Sequence, residues 1–207
     1  MAGLRLCTVE TDTPQDVAEW SKVAACKAVF RGFESHHPVS LHWSVKMRCP
    51  IFRNWYSKEF YQFLHENPGF MGCVFINGCF DLFHAGHLSV FDKALSSPKR
   101  PIVVAVNGDA AITRAKGSHR PCLPWEDRAI IPAYLGVDLV VGFEEDTPLE
   151  LMQILQVAEV IKGNDYNEED IVAPAGCIKT IVPKSRDLST TKLIERIVTQ
   201  HVVYIAK

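Results

Sequence analysis

From residue 71 onward, short runs of β-branched and other apolar residues alternate with longer stretches whose apolar positions recur every three or four residues. This is the pattern of a parallel sheet covered by its connecting helices. It predicts strands near 73–77, 102–106, 138–142, 159–162 and 178–182, and helices near 87–96, 109–115, 125–135, 148–156 and 189–200. In the last of these, Leu193, Ile194, Ile197 and Val198 keep helical spacing, and Ser189 stands where an N-cap belongs. Five strands suffice for a small doubly wound α/β domain. Ligands of such sheets gather beyond the carboxyl ends of the strands where the strand order reverses, so His84, Asn107 and Lys162-Gly163 should converge there.

The first seventy residues are patterned differently. Periodicity is weak until a helix-like stretch from Trp55 to Leu64. The segments Val17-Ala18-Glu19-Trp20, Cys26-Lys27 and Arg31-Gly32-Phe33-Glu34-Ser35 look like a transfer-RNA gene read as protein, since Gly-Phe-Glu-Ser can be encoded by a T-arm sequence. The expected organisation is an extension over 1–46 read as translated non-coding sequence, with a genuine but poorly patterned N-terminal arm as the alternative, then a leading helical segment over 47–70 and a domain over 71–207. Translation is expected to start at Met47 or Met71, with the Trp55–Glu66 helix favouring Met47.

With 207 residues and 47% hydrophobic content, the chain can bury one good core. A formal charge of −2 gives no basic field, so neither nucleic acid nor a membrane surface is an expected partner. The seven cysteines, Cys7, Cys26, Cys49, Cys73, Cys79, Cys122 and Cys177, are odd in number and form no C-x-x-C pair, which argues against a disulfide framework. No apolar run reaches membrane-spanning length, and the expectation is a soluble, cytoplasmic protein.

The chemistry concentrates in Asn77-Gly78-Cys79-Phe80-Asp81-Leu82-Phe83-His84-Ala85-Gly86-His87. An apolar run ends there and an amphipathic one begins, making a strand, a glycine-bearing loop and a helix start. Unpaired N–H groups and the positive end of the dipole make such a start a seat for polyphosphate. Two imidazoles beside it could donate to phosphoryl oxygens as charge shifts during transfer, and Gly86 would let a ribose or base lie against the backbone. The alternative use of His84 and His87, a metal pair at i and i+3, has no third ligand clearly spaced beside it.

His84-Ala85-Gly86-His87, extended by Gly78, Phe80 and Asp81 to G-x-F-D-x-x-H-x-G-H, resembles the signature of the H-x-G-H nucleotidyltransferases, the superfamily of cytidylyltransferases and adenylyltransferases. Lys116-Gly117, Arg120-Pro121, Glu126-Asp127-Arg128, Asp146-Thr147-Pro148-Leu149-Glu150, Lys162-Gly163-Asn164-Asp165-Tyr166 and Ser189-Thr190-Thr191 follow in family order. Over about Met71 to Val198 the chain looks most like the adenylyltransferase domain of ADP-heptose synthases, and more distantly like glycerol-3-phosphate cytidylyltransferase.

The resemblance implies a Rossmann-like fold and transfer of a nucleoside monophosphate to a phosphorylated small molecule, with release of pyrophosphate. It suggests AMP from ATP and a sugar 1-phosphate; CTP with glycerol 3-phosphate is the alternative, and a silent nucleotide-binding module the second. By that likeness His84, His87 and Lys116 are catalytic. Gly78, Cys79, Phe80, Gly86, Lys162, Gly163, Asp165, Ser189 and Thr190 bind the nucleotide, while Asn107, Asp109, Arg120 and Arg128 bind the second substrate. Mg²⁺ is implied by the chemistry, without readable ligands, and a homodimer by analogy with relatives. Lys184-Ser185-Arg186-Asp187 departs from relatives that carry glycine before the Ser-Thr pair.

Overall fold

The computed structural model describes residues 49–98, 101–183 and 188–205. The expected extension over 1–46 and the Lys184–Asp187 departure lie outside the described residues.

Six parallel strands form one sheet: β1 (Ile51–Phe52), β2 (Val74–Gly78), β3 (Ile102–Asn107), β4 (Leu139–Phe143), β5 (Glu159–Gly163) and β6 (Ile178–Val182), in the spatial order β1-β4-β3-β2-β5-β6. The helices are α1 (Lys58–Glu66), α2 (Ala85–Leu95), α3 (Asp109–Lys116), α4 (Trp125–Tyr134), α5 (Leu149–Ile154) and α6 (Thr190–Ile205). From β2 the chain steps outward through β3 to β4, then returns to β5 on the other flank of β2. The order therefore reverses between β2 and β5, and their carboxyl ends open a crevice.

Every residue of β4 and β5 is buried, as strands covered on both faces require. Alternate side chains divide between two cores. Phe75, Val103, Val141 and Val160 pack with Phe60 and Leu64 of α1 and with Leu151 and Met152 of α5. Val74, Ile76, Val104, Val140 and Ile161 pack with Phe91 and Ala94 of α2 and with Trp125 and Ala129 of α4. The period of two along each strand sorts them.

The Rossmann-like α/β class stands, with corrections. The sheet has six strands instead of five, because Ile51 and Phe52 pair with Val140 and Val141 as a short edge. Two residues are too few to show an alternating pattern. Gly142 is what admits this edge: a Cβ there would stand 2.0 Å from the Arg53 carbonyl oxygen. The first helix begins at Lys58, after Ser57, whose Oγ accepts the Phe60 N–H at 3.1 Å and caps it. Trp55 precedes that helix and enters the core. Among the described residues no helix is long and apolar enough to cross a membrane.

The compact unit containing the sheet runs from Met47 to Lys207. A chain beginning at Met47 keeps all of the described core and should unfold cooperatively. One beginning at Met71 loses Trp55, Phe60 and Leu64, where removing a single buried aromatic costs about 3–5 kcal/mol, and should lack a native transition in urea. Equal stability of the two would place the domain boundary at 71.

Candidate active site

The loop after β2 is held in a shape that its residues do not favour. Phe80 and Leu82 have φ of 51° and 48°, left-handed values rare for bulky side chains, each costing about 1–3 kcal/mol. Between them Asp81 is fully buried. Its carboxylate accepts Arg120 Nε at 2.7 Å, the Cys122 N–H at 3.0 Å and the Leu123 N–H at 3.1 Å. Burial pushes the Asp81 pKa up, but the amides of Cys122 and Leu123 and the Arg120 guanidinium prevail and hold it below the usual carboxylate value. Its carbonyl oxygen accepts Thr190 Oγ1 at 2.7 Å, tying the loop to the start of α6.

The loop delivers two imidazoles to the N-terminus of α2. His84 is the N-cap: its Nδ1 accepts the Gly86 N–H at 3.0 Å, while His87 Nδ1 accepts the His84 N–H at 3.2 Å. This reciprocal box starts the helix two residues before the predicted 87. The rings stack with centroids 3.9 Å apart, and Phe80 and Phe83 pack against His87. With each Nδ1 accepting, the proton of a neutral ring sits on Nε2, so both rings present N–H donors.

A Cβ at Gly86 would stand 2.8 Å from the Leu188 carbonyl oxygen and 2.9 Å from the His84 ring, so the chain entering α6 is a close neighbour of this glycine. The missing side chain lets two helix starts meet. Ser189 Oγ accepts the Lys192 N–H at 3.2 Å, as an N-cap does. Both helix starts line one cavity and turn the positive ends of their dipoles toward it.

That cavity, about 640 Å³, lies over the carboxyl ends of β2 and β5. Of the residues singled out in the sequence, it brings together Gly78, Cys79, Phe80, His84, Gly86, His87, Asn107, Lys116, Arg120, Lys162, Gly163, Asp165, Ser189 and Thr190. Asp109 and Arg128 are not in its lining. Arg128, fully buried, donates to the carbonyls of Leu123 at 3.0 Å, Cys79, and Asn107 at 2.8 Å, and pairs with Asp109 at 2.6 Å. Asp109 also accepts the Trp125 N–H at 3.3 Å. Together they form a bracket joining the ends of β2 and β3, with every arm of the guanidinium occupied. Phe143, which was missed, also lines the cavity, as do Asp146, Thr147 and Pro148, which were quoted as a family motif but given no site role. The rule that ligands gather beyond strand ends, applied to β4, would have found them.

Lys162, on β5, is nine-tenths buried; its Nζ donates to the Asn77 carbonyl at 3.1 Å and lies 4.6 Å from the centroid of the Tyr166 ring. Burial lowers its pKa to about 8, opposed by the Asp165 charge.

The chemistry implies Mg²⁺, which needs oxygen ligands. Among the described residues no three His, Cys, Asp or Glu side chains cluster as a metal cage, and Asp81 is spent on Arg120 and two amides. Mg²⁺ bound chiefly by phosphate oxygens and water fits this lining, since that ion needs few protein ligands.

A parallel α/β sheet with an imidazole pair at a helix start beside the reversal of strand order describes a nucleotide-handling enzyme. A family model described as cytidylyltransferase-like matches residues 75–196, more than half of the chain. The chain belongs to the cytidylyltransferase-like family and is a nucleotidyltransferase. It is 43% identical over 131 residues to bifunctional protein HldE of Granulibacter bethesdensis, covering 60% of this chain and 27% of that protein. It is 42% identical over 133 residues to HldE of Magnetococcus marinus, covering 61% and 27%. The chain thus spans about a quarter of the length of these relatives. The fold is shared with pantoate-β-alanine ligase from Francisella tularensis, solved with β,γ-ATP and β-alanine, at 17% identity and a TM-score of 0.52 over 70% of this chain and 72% of that one.

Two outcomes are expected of these side chains. Arg128→Met should leave three carbonyls and Asp109 without their donor and cost about 3–5 kcal/mol in urea unfolding; a cost below 1 kcal/mol would contradict the bracket. Lys162 is charged below about pH 8 and neutral above it, so kcat/KM for the nucleotide should fall as pH rises through that value. In Lys162→Met the profile should lose this limb.

Proposed function

We propose that the protein transfers AMP from ATP to the phosphate of a sugar 1-phosphate of the heptose type and releases pyrophosphate. The observation that carries the reading is the histidine box: two stacked imidazoles whose Nδ1 atoms are tied to backbone amides, set beside two converging helix starts in one cavity. The choice of ATP and a sugar phosphate rests on the HldE relatives and on the likeness to the adenylyltransferase domain of ADP-heptose synthases.

An oxygen of the acceptor phosphate attacks the α-phosphorus in line. A new P–O bond forms as the bond to the oxygen bridging the α- and β-phosphorus breaks, and that electron pair leaves with pyrophosphate. His84 and His87 donate from Nε2 to the phosphoryl oxygens as charge moves onto them. The starts of α2 and α6, with Ser189, Thr190 and Lys162, hold the triphosphate. Backbone at Gly78, Cys79 and Phe80 borders the nucleotide, and Gly163 and Asp165 face the nucleoside. Lys116 and Asn107 lie on the acceptor side. Mg²⁺, carried in by the triphosphate, would neutralise its charge. Catalysis comes from position and preorganised donors, with no covalent enzyme intermediate.

Pyrophosphate release across four nucleoside triphosphates, each paired with phosphorylated sugars and alcohols, should be fastest with ATP and a sugar 1-phosphate. Preference for CTP with glycerol 3-phosphate would move the protein to the cytidylyltransferases, and no release with any pair would overturn the reading. His87→Asn, whose amide oxygen can keep the cap but not the Nε2 donor, should lower turnover by about two to three orders of magnitude at little cost in stability. Near-normal turnover would remove His87 from the mechanism.

A further inference from the structure

Arg120 lines the cavity yet is almost wholly buried, 6% exposed. One edge of its guanidinium is committed, with Nε on Asp81 at 2.7 Å. Nη2 is buried and has no hydrogen-bond partner among the described residues. Asp81 is already shared with the amides of Cys122 and Leu123. A buried guanidinium N–H left unmet costs free energy that an incoming oxygen would restore.

The arm is also fixed in place. The Arg120 N–H donates to the Gly117 carbonyl at 3.1 Å, and the Arg120 carbonyl accepts Thr113 Oγ1 at 2.8 Å. With Nε held as well, the guanidinium cannot swing to meet a ligand, so the ligand must bring its oxygen to Nη2. The triphosphate has the imidazole pair and two helix starts to receive it, on the β2 and β5 side. Arg120 arrives instead from the β3 side, in the loop following Lys116 and α3. Transfer to a phosphate requires a second anion in the same cavity.

We propose that Arg120 Nη2 receives an oxygen of the acceptor's phosphate monoester, and that Asp81 is the residue positioning it. The inference rests on the transferase reading above and names the contact that its acceptor makes. Asp81 also carries Thr190 on its carbonyl oxygen, so one residue indexes the acceptor's receptor and the start of α6.

The test uses the full chain. Arg120→Lys can still reach Asp81 but lacks the second arm. It should raise the acceptor KM by about ten- to a hundredfold and change the nucleotide KM by no more than about twofold. Asp81→Asn should show the same acceptor-specific pattern to a smaller degree. Independently of turnover, with the triphosphate seat filled by a non-hydrolysable nucleoside triphosphate, inorganic phosphate should further raise the melting temperature of the natural protein and of His87→Asn, but not that of Arg120→Lys. Arg120→Gln, whose amide can donate to Asp81, repeats the comparison if the lysine variant unfolds. A rise in nucleotide KM with acceptor KM unchanged, or a phosphate shift that persists without Arg120, would overturn the assignment and leave the transferase reading standing. An Arg120-dependent phosphate shift, with no pyrophosphate release from any substrate pair, would sink the transferase reading and keep Arg120 as a phosphate receptor.

Discussion

The carboxylate of Asp81 is the constraint on which the site depends. Two neighbours in left-handed backbone would relax if nothing opposed them. Three hydrogen bonds from the loop after α3, and one to the carbonyl of Asp81 itself, oppose them. The strained loop sets the entry of α2, and that entry sets both imidazoles. A single buried acid thus links the ends of β2 and α3 with the start of α6, three segments distant in sequence.

The crevice lining sets Lys116, Arg120 and Lys162 beside Asp81, Asp146, Asp165 and Asp170, so side-chain charge does not make it strongly basic. What it offers an anion comes from two helix termini, from Lys162 and from Arg120, while Asp81 neutralises much of the Arg120 charge. Such a site offers directed N–H donors more than bulk attraction, which suits a reaction whose reactants are both anions and whose transition state redistributes charge without adding any. Arg128 has the same chemistry as Arg120 and the opposite role. Carbonyls at the ends of β2 and β3 and in the loop after α3 saturate it, so it sets the spacing of the cavity floor.

How much of this was legible in the sequence depended on the length over which each signal was written. Strands of five or six residues, buried on both faces, announce themselves as apolar runs, and β2 to β6 lie within a residue or so of their predicted places. Strand β1 is two residues long and exists through its pairing with Val140 and Val141, a contact with no local trace. Most of the residues singled out for the site meet in one cavity, because a motif at a strand end fixes where its side chains go. Arg120 and Arg128 were indistinguishable as letters, since both follow α3 with carboxylates nearby. Burial and partners separate them, and both are tertiary facts. Gly86 was legible as a close approach, but not as an approach by the protein's own backbone.

The short β1 strand has a bearing on behaviour at high concentration. Without it β4, five consecutive buried residues in Leu139–Phe143, would be the outer strand, with a row of unpaired amides and carbonyls flanked by apolar side chains. That is a template for adding strands from other molecules. Two residues, admitted by the bare Cα of Gly142 and followed at once by the charge of Arg53, close much of it. The segment most easily dismissed as a leader is therefore a guard against self-association, and damage to it would appear first as loss of solubility, before any loss of catalytic competence in the molecules that remain folded.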